Sequence, residues 1–327
     1  MKYLLSRLLL CLGILLPLAT TQAEHHEEVI FVPYLDKDHD ELWISDVRNT
    51  RHARKIYTHP RYIAELAVQP EGDYVVFVAE TPVDFFAFDA YLIDRHHIQE
   101  AARDLTKLRF DAIWDIDISH NGDVVFTNSP TALPPDMKYG VYLIRSHELK
   151  KGTPRADLLV ERESYHVRWS PDGKHIAFES WNKIYLHNVN FRVTNSIDIG
   201  WAPVFSPDGN RLAFFLEVLA RRVAISVISI HPRKLLKTIA LDVEEAEEYV
   251  GNLDWTPDGE SLVYTVFGAP RRTYRVPLDG SPREEILIFP DGGVRRFDWT
   301  RAAYAVEPTK KLTTLWGTLK IANTHSR

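Results

Sequence analysis

Cysteine is almost absent from this chain of 327 residues, in which Cys11 is the only one. A single thiol excludes an intramolecular disulfide and a metal site built from several cysteines. Cys11 also lies in the N-terminal apolar segment, so we expect the mature protein to contain no thiol at all. Stability must then come from the core, and with 45% hydrophobic residues a chain of this length can bury a large one.

Long apolar runs are also scarce, and the clearest one lies at the N-terminus. Lys2 and Arg7 precede the run Leu8–Leu18, and small residues follow it up to Ala23. This pattern is typical of a secretory signal peptide, and the run is too short for a membrane span. We predict a signal peptide over residues 1–23 with cleavage after Ala23, a periplasmic or secreted protein, and no membrane insertion after cleavage. The alternative is an uncleaved anchor that tethers the same exported domain.

Positive charge is in the minority, because 39 lysines and arginines face 45 aspartates and glutamates. Loss of Lys2 and Arg7 with the signal peptide would change the formal charge from −6 to −8. An acidic chain without a basic run argues against nucleic acid and anionic membranes as partners. A protein, peptide or glycan is the expected partner.

Linear catalytic signatures are missing as well. The chain contains no Gly-x-Ser-x-Gly elbow, no glycine-rich phosphate loop and no zinc-binding spacing. From the sequence we therefore assign no catalytic residue and no cofactor.

What the sequence does contain is a repeat of one four-residue phrase. Its copies are Gln69-Pro70-Glu71-Gly72, Ser119-His120-Asn121-Gly122, Ser170-Pro171-Asp172-Gly173, Ser206-Pro207-Asp208-Gly209 and Thr256-Pro257-Asp258-Gly259. Proline sets φ for a tight turn, and the glycine supplies the positive φ that closes it. Apolar or aromatic residues flank each copy, so each copy predicts strand, turn, strand.

Two further strands are predicted after most of these hairpins. Examples of the third strand are 89–94, 183–188 and 272–277, and examples of the fourth are 156–160, 235–239 and 285–289. Four antiparallel strands per unit of roughly 35–50 residues are typical of a propeller blade. The sequence therefore predicts an all-β fold, a β-propeller of four-stranded antiparallel blades that forms one domain over residues 24–327.

The two ends leave the number of blades open at six or seven. Val29–Val32 and Leu42–Val47 resemble a second and a third strand without a first. Arg296–Thr300 resembles a first strand, and 303–306 with 315–320 would supply a second and a third. The ends form either two incomplete blades or one shared blade that closes the ring.

The segment 167–189, which reads VRWSPDGKHIAFESWNKIYLHNV, resembles the WD-like repeat of TolB-type propellers. The same motif builds the propellers of prolyl oligopeptidases. The resemblance covers nearly all of residues 29–320 and implies a TolB-like propeller. It implies neither a Tol partnership nor peptidase activity, because we find no α/β domain before the propeller and no nucleophile elbow.

Candidate metal ligands occur in two places. Asp36, Asp38 and Asp40 alternate as in calcium loops, but Glu41 stands where such loops need glycine, which favours a solvated hairpin turn. The adjacent histidines of His25-His26 and His96-His97 point in different directions along an extended chain, which argues against a shared metal. We assign no metal site and keep the three aspartates as weak candidates.

Paired acids offer a candidate for acid–base chemistry. Asp115 and Asp117 alternate on one predicted strand, and Asp117, Asp254 and Asp298 precede the same apolar position of the repeat. A repeated position favours a structural role, such as a hydrogen bond between blades, over a single active site.

Irregular connections are the most plausible places for binding, since rigid scaffolds present such loops. Phe85, Phe86 and Phe88 lie between a second and a third strand, and Ser129–Tyr139 is the matching insertion one unit later. Together they could form an apolar patch, or the rings could fold back over the blade ends. The acidic run Glu244–Glu248 is interpreted as a solvated loop.

Three function classes follow from these observations. The sequence favours an exported, non-enzymatic binding module for a protein, peptide or glycan. The alternatives are a propeller enzyme, such as a polysaccharide lyase or glycosidase with its site at the channel mouth, and a structural component of an envelope complex. An enzyme predicts a polar funnel with clustered acids or histidines, whereas a binding module predicts an aromatic face.

Overall fold

The computed structural model describes residues 27–35, 39–81, 87–98, 100–110, 112–129, 138–218, 222–241, 249–268, 270–289 and 293–300. These residues form six antiparallel sheets of four strands each. The first strand of every sheet contacts the first strands of the two neighbouring sheets, which closes a ring. The protein is thus an all-β propeller of six blades, as the repeat predicted.

The strands are short and follow the repeat units along the chain. The first twelve are β1 (Glu28–Pro33), β2 (Asp40–Asp46), β3 (Asn49–His59), β4 (Ile63–Val68), β5 (Tyr74–Glu80), β6 (Phe88–Asp94), β7 (Arg103–Asp104), β8 (Ile113–Ile118), β9 (Val124–Asn128), β10 (Gly140–Ile144), β11 (Ala156–Val160) and β12 (Tyr165–Trp169). The remaining twelve are β13 (His175–Glu179), β14 (Lys183–Asn188), β15 (Val193–Ile199), β16 (Trp201–Phe205), β17 (Arg211–Val218), β18 (Arg222–Ser229), β19 (Lys234–Ala240), β20 (Tyr249–Trp255), β21 (Ser261–Phe267), β22 (Arg272–Pro277), β23 (Glu284–Ile286) and β24 (Val294–Trp299). Within the described ranges, no helix is long and apolar enough to cross a bilayer.

One blade is shared by the two ends of the chain. Its strands lie in the order β24, β1, β2, β3, and Val29 pairs with Trp299. The shared blade decides the count at six and removes the exposed edge that an open ring would have. The further strands expected at 303–306 and 315–320 lie outside the described residues.

The repeated phrase forms the turn that its residues predict. The glycines at 72, 122, 173, 209 and 259 all have φ between +66° and +81°. In the third copy, the Gly173 amide donates to the Ser170 carbonyl at 2.9 Å, and the Ser170 hydroxyl donates to Asp172 at 2.6 Å. Each turn therefore closes on itself and fixes the register of the two strands that it joins.

The aromatic residue after each turn packs on the third strand of its own blade. Phe77 stacks on Tyr91, Phe126 on Tyr142 and Phe178 on Tyr185, with ring centroids 5.3–5.5 Å apart. The phenylalanine rings are fully buried between adjacent blades. These repeated pairs make the scaffold that holds the first strands around a central channel.

Candidate functional site

The first strands β24, β4, β8, β12, β16 and β20 line the central channel, which opens on two faces. Each of them begins at what we call the funnel face and ends at a glycine turn, or at its equivalent, on the turn face. A cavity of about 740 Å³ fills the mouth on the funnel face, and one of about 490 Å³ fills the mouth on the turn face. Concave, preformed mouths of this size are the usual places for ligands on such a scaffold.

Side chains of the first strands form two layers along this channel. The layer nearer the turn face comprises Ala67, Asp117, Arg168, Val204, Asp254 and Asp298. The layer nearer the funnel face lies two residues earlier in each strand and comprises Glu65, Asp115, His166, Ala202, Asn252 and Arg296. Charged residues occupy most of these positions, so the channel is a polar site.

The aspartates nearer the turn face connect neighbouring blades. Asp117 accepts hydrogen bonds from its own next amide at 2.7 Å and from the Trp169 amide of the following blade at 2.6 Å. Asp298 does the same with Trp299 at 2.7 Å and with Val68 at 2.6 Å. The hydrogen bonds confirm the structural role that the repeated position predicted for these two residues.

Enclosure in the channel changes the acidity of these carboxyl groups. Burial raises the pKa of Asp117 to about 6. Burial also raises the pKa of Asp254 and of Asp298, and the negative charge of nearby carboxylates adds to the effect. The aspartates therefore form a weakly acidic layer in the channel.

Arg168 places a positive charge among these acids. Burial opposes its charge, but Glu65, Asp117 and Asp115 raise the pKa of its guanidinium above the usual value. One guanidinium nitrogen donates to the Val167 carbonyl at 2.8 Å. Among the described residues, no carboxylate oxygen lies at ion-pair distance from it. Several carboxylates at longer range therefore balance its charge, and no single ion-pair partner does so.

A bulge aims the side chains of the funnel layer into the channel. His166, Ala202 and Asn252 have φ of +52°, +51° and +50°, and the pairing register of each first strand shifts at that point. Positive φ is strained for residues other than glycine, and such bulges are common beside functional sites. The same distortion occurs in three successive blades, so the backbone conformation that shapes the funnel mouth is repeated around the ring.

His166 is the titratable group that this bulge presents. A ring nitrogen lies 2.9 Å from a Glu179 carboxylate oxygen, and the side chain is 40% exposed. Enclosure opposes protonation, but the negative charges of Asp115 and Glu179 raise the pKa of the imidazole overall. The result is a partly exposed imidazole near Arg168 whose protonated form is favoured relative to a free histidine.

Two ion pairs fix the wall of the funnel, one within the shared blade and one at its junction with the blade of β4–β7. Arg295 donates to both carboxylate oxygens of Asp40, at 2.8 and 2.7 Å, and both side chains are buried. Asp40 also accepts the Ile63 amide at 2.6 Å. Arg296 lies 3.2 Å from Glu65 across that junction. Arg295 and Arg296 are therefore already neutralised by partners.

Asp40 was one of three weak metal candidates. Its carboxylate is occupied by Arg295, while Asp36 and Asp38 lie outside the described residues. Across the part of the chain that the structure describes, no group of three metal-binding side chains comes together. His96 and His97 each contact a different carboxylate, that of Asp73 and that of Asp94, and His25-His26 is outside the described ranges.

Arg271 lies at the rim with its charge unmatched. Its guanidinium stacks on Tyr34, 3.9 Å from the ring centroid, and lies 5.6 Å from the Phe267 ring. One terminal nitrogen is buried and makes no hydrogen bond within the described chain. No described carboxylate lies at ion-pair distance from Arg271. Arg271 therefore offers the funnel a free donor; Arg295 Nε is unsatisfied as well, but that guanidinium is already paired with Asp40.

Of the apolar candidates Phe85, Phe86 and Phe88, only Phe88 lies in the described part of the chain. Phe88 is half-buried, and its ring packs 5.5 Å from Trp114 at the funnel face. Phe85, Phe86 and Glu244–Glu248 lie outside the described residues, as does most of the insertion Ser129–Tyr139. Among the described residues, β6 and β20 begin at the funnel face, with Phe88 and Tyr249 as their first residues. The expected apolar patch remains a prediction.

Sequence reasoning did not find the arginines and the histidine of the channel. Arg168 and His166 could have been identified by aligning the repeats, because each replaces a residue that is acidic in a neighbouring copy, Asp117 or Asp115. Arg271 carries no such signal, since it precedes an ordinary third strand. Its environment depends on Tyr34 from the opposite end of the chain.

Comparisons with known proteins agree with this architecture. No family model matches this chain, and neither does any curated protein. Among solved structures, TolB from Acinetobacter baumannii is similar with a TM-score of 0.67 and 16% identity, over 84% of this chain and 66% of that one. A putative TolB from Agrobacterium tumefaciens gives 0.57 and 17%, over 82% and 90%.

An enzyme structure is similar at a comparable level. The periplasmic gluconolactonase PpgL from Pseudomonas aeruginosa gives a TM-score of 0.54 and 15% identity, over 79% of this chain and 82% of that one. At such identities the likeness concerns the fold alone. The structure is a TolB-like β-propeller, and its function has to be argued from its own site.

Proposed function

We propose that this TolB-like propeller is an exported binding module whose ligand, a protein, peptide or glycan of the bacterial envelope, enters the funnel mouth. One observation carries the proposal: a large cavity lined by arginines and aromatic rings in a chain of net negative charge. Arginine and large aromatic side chains are typical of binding sites, because they offer broad contact area with a polar end.

Export supports the envelope as the place of action. The N-terminal segment has the features of a signal peptide, and the chain without it contains no cysteine. The similar PpgL structure is described as periplasmic. The signal peptide at residues 1–23 and the location in the periplasm or outside the cell are both part of this proposal.

The test is capture of a partner from an envelope extract by the purified protein and by two triple variants. The first, called the funnel variant, changes Phe85, Phe86 and Phe88 to Ser, of which Phe88 lies at the funnel face. The matched control changes the exposed residues Phe191, Leu235 and Leu236 to Ser on the outer part of the ring. We expect the wild type and the control to retain the same protein or glycan and the funnel variant to lose it. Retention by none of them contradicts the binding module.

An enzyme acting on envelope polysaccharide, a lyase or a glycosidase, is the second candidate. The accessible imidazole of His166 favours it, since that ring is oriented by Glu179 and lies in a strained bulge at the mouth. A histidine in this setting can transfer a proton, which contributes about 10²–10⁴-fold to a rate. If envelope polysaccharide is turned over, His166→Gln should lower the rate by about that factor. Turnover that survives the substitution argues against this role of His166.

A further inference from the structure

We propose that the funnel cavity binds an acidic oligosaccharide and that Arg271 receives a sugar carboxylate. The inference rests on the proposed function and names the ligand class of the same site. Its basis is the charge, the hydrogen-bond capacity and the shape of the described lining.

The lining of the funnel cavity is positive although the chain is acidic. The described lining contains more arginines than carboxylates. The arginines are Arg61, Arg168, Arg271, Arg295 and Arg296, and the carboxylates are Asp40, Glu65 and Glu80. A cleft lined by one sign of charge with low-dielectric walls concentrates ligands of the opposite sign. The funnel therefore selects an anion.

Arg271 combines an unsatisfied buried donor with the lack of a carboxylate partner among the described residues, whereas Arg168 lies among the channel acids. Arg295 and Arg296 already bind Asp40 and Glu65, whereas a buried nitrogen of Arg271 has no hydrogen-bond acceptor among the described residues. A buried donor without an acceptor is costly, so a ligand oxygen placed there recovers free energy. The planar guanidinium matches a carboxylate with two parallel hydrogen bonds.

The acids of the cavity favour a singly charged group over a phosphate dianion. Glu65 and Glu80 lie in the same lining as the arginines. Two negative charges on one group would be repelled by these carboxylates, whereas single charges spaced along a chain need only one arginine each. Uronate sugars carry single charges in this way.

Hydrogen-bond capacity favours a saccharide over a peptide. Arginine only donates, so the ligand has to supply acceptors, and sugar hydroxyl and carboxylate oxygens do so. Of the acceptors in the lining, Asp40 is occupied by Arg295 and the Ile63 amide, and Glu65 by Arg296 and the Leu66 amide. Glu80 is the remaining carboxylate of the described lining, so the many backbone amides of a peptide would find few carboxylate acceptors here.

Aromatic rings around the mouth complete the fit. Tyr34 and Tyr62 are each 44% exposed and Tyr249 is 63% exposed at the rim. Arg271 and Arg295 stack on Tyr34 and Tyr62, and Phe267 stacks on Tyr249, so the exposed side of each tyrosine is left for the apolar face of a sugar ring. The funnel thus offers stacking positions beside charged ones.

The experiment is titration calorimetry of the purified protein with three probes. These are tri-galacturonic acid, its fully methyl-esterified and hence neutral form, and a triglutamate peptide. Arg271→Gln tests the anchor, and Arg283→Gln is the matched control, because Arg283 also stacks on a tyrosine, 4.5 Å from the Tyr274 ring, but on the turn face.

We expect the acid form to bind the wild type and the control alike. The methyl ester and the Arg271→Gln variant should each bind roughly ten- to a hundredfold more weakly, the effect of one charged hydrogen bond. Equal binding of acid and ester, or an unchanged Arg271→Gln variant, overturns the proposal, as does preference for the triglutamate peptide. The comparison of the acid with its methyl ester uses wild-type protein, so it tests the proposal even if the variant does not fold.

Capture from the envelope extract separates this inference from the proposed function. If the wild type retains an envelope partner but tri-galacturonic acid does not bind, the ligand class is wrong and the binding module stands. If neither is observed, the proposed function fails as well.

Discussion

Gly173 shows how strongly one residue of the repeat constrains the turn between two strands. Its φ is +66°, and an added Cβ would lie 3.0 Å from a ring carbon of His120. A left-handed conformation costs a non-glycine residue about 1–2 kcal/mol. We therefore expect Gly173→Ala to lower the free energy of unfolding by about that amount in urea titration.

Gly152 supplies the control for this prediction. An added Cβ at Gly152 has no neighbour within 4 Å, and Gly152 is not among the glycines with positive φ. Gly152→Ala should leave the free energy of unfolding unchanged within roughly 0.5 kcal/mol. Equal stabilities of the two variants would show that the turn tolerates a side chain.

Asp117 gives the channel a measurable pH dependence. Its pKa is raised from 3.8 to about 6 in the folded protein, so the folded state holds the proton more tightly than the unfolded state. Its contribution to stability is then present below pH 3.8 and is lost as the pH rises to about 6. Asp117→Asn stays neutral throughout, so the unfolding free energy of the variant minus that of the wild type should increase across this window.

The measurement for Asp117 is urea unfolding of both proteins at several pH values between 3.8 and 7. Only the difference between them is interpreted, because other carboxyl groups, such as Glu41 and Asp94, have lowered pKa values and act in the opposite direction. Parallel stability curves would mean that Asp117 ionises normally.

At the scale of the blade, the ion pair Arg295–Asp40 links β24 to β2 within the shared blade, and Asp40 also accepts the Ile63 amide of the next blade. Both side chains are more than nine-tenths buried. Removal of one partner leaves a buried charge uncompensated, which costs about 3–5 kcal/mol. Asp40→Asn should therefore lower the free energy of unfolding by that amount, as measured in urea.

An apolar replacement of the pair distinguishes charge from packing. Asp40→Leu together with Arg295→Met removes both charges and should restore most of the lost stability. Glu161→Gln in the exposed pair with Lys138 should cost at most about 1 kcal/mol. If Asp40→Asn behaves like Glu161→Gln, the pair contributes little to the stability of the shared blade.

The sequence predicted the strands well where local residues decide the structure. The third strand expected at 89–94 lies at Phe88–Asp94, and the one expected at 183–188 coincides with Lys183–Asn188. Turn glycines, prolines and buried aromatics act on their own neighbours, so their pattern is readable. The number of blades depends on whether Trp299 pairs with Val29, which no local pattern can decide.

The candidate site was much less predictable than the strands. Arg271 and Tyr34 come from opposite ends of the chain, and their contact exists only in the closed ring. His166 occurs inside a recognised motif, yet the bulge that turns it toward the channel gives no compositional signal. The predicted sites were loops and acid pairs, whereas the geometry selects side chains of the first strands together with Arg271, which precedes β22.

At the scale of the whole molecule, closure of the ring depends on the last described strand. The Trp299 side chain is fully buried between the shared blade and its neighbours. Loss of a buried tryptophan typically costs 3–5 kcal/mol, so Trp299→Ala should lower the free energy of unfolding by about that amount. Trp181→Ala, at a ring that is 77% exposed, should change it by less than roughly 1 kcal/mol. Similar values for both tryptophans in urea would contradict a closure that stabilises the ring.

The shared blade also sets the order of events during folding. Strand β1 lies near the start of the described chain, but its pairing partner β24 is the last described strand. Until β24 pairs with it, the inner edge of β1 is an unpaired strand edge that other chains can join. The protein is therefore most vulnerable to aggregation before its last strand arrives, whatever the stability of the finished ring.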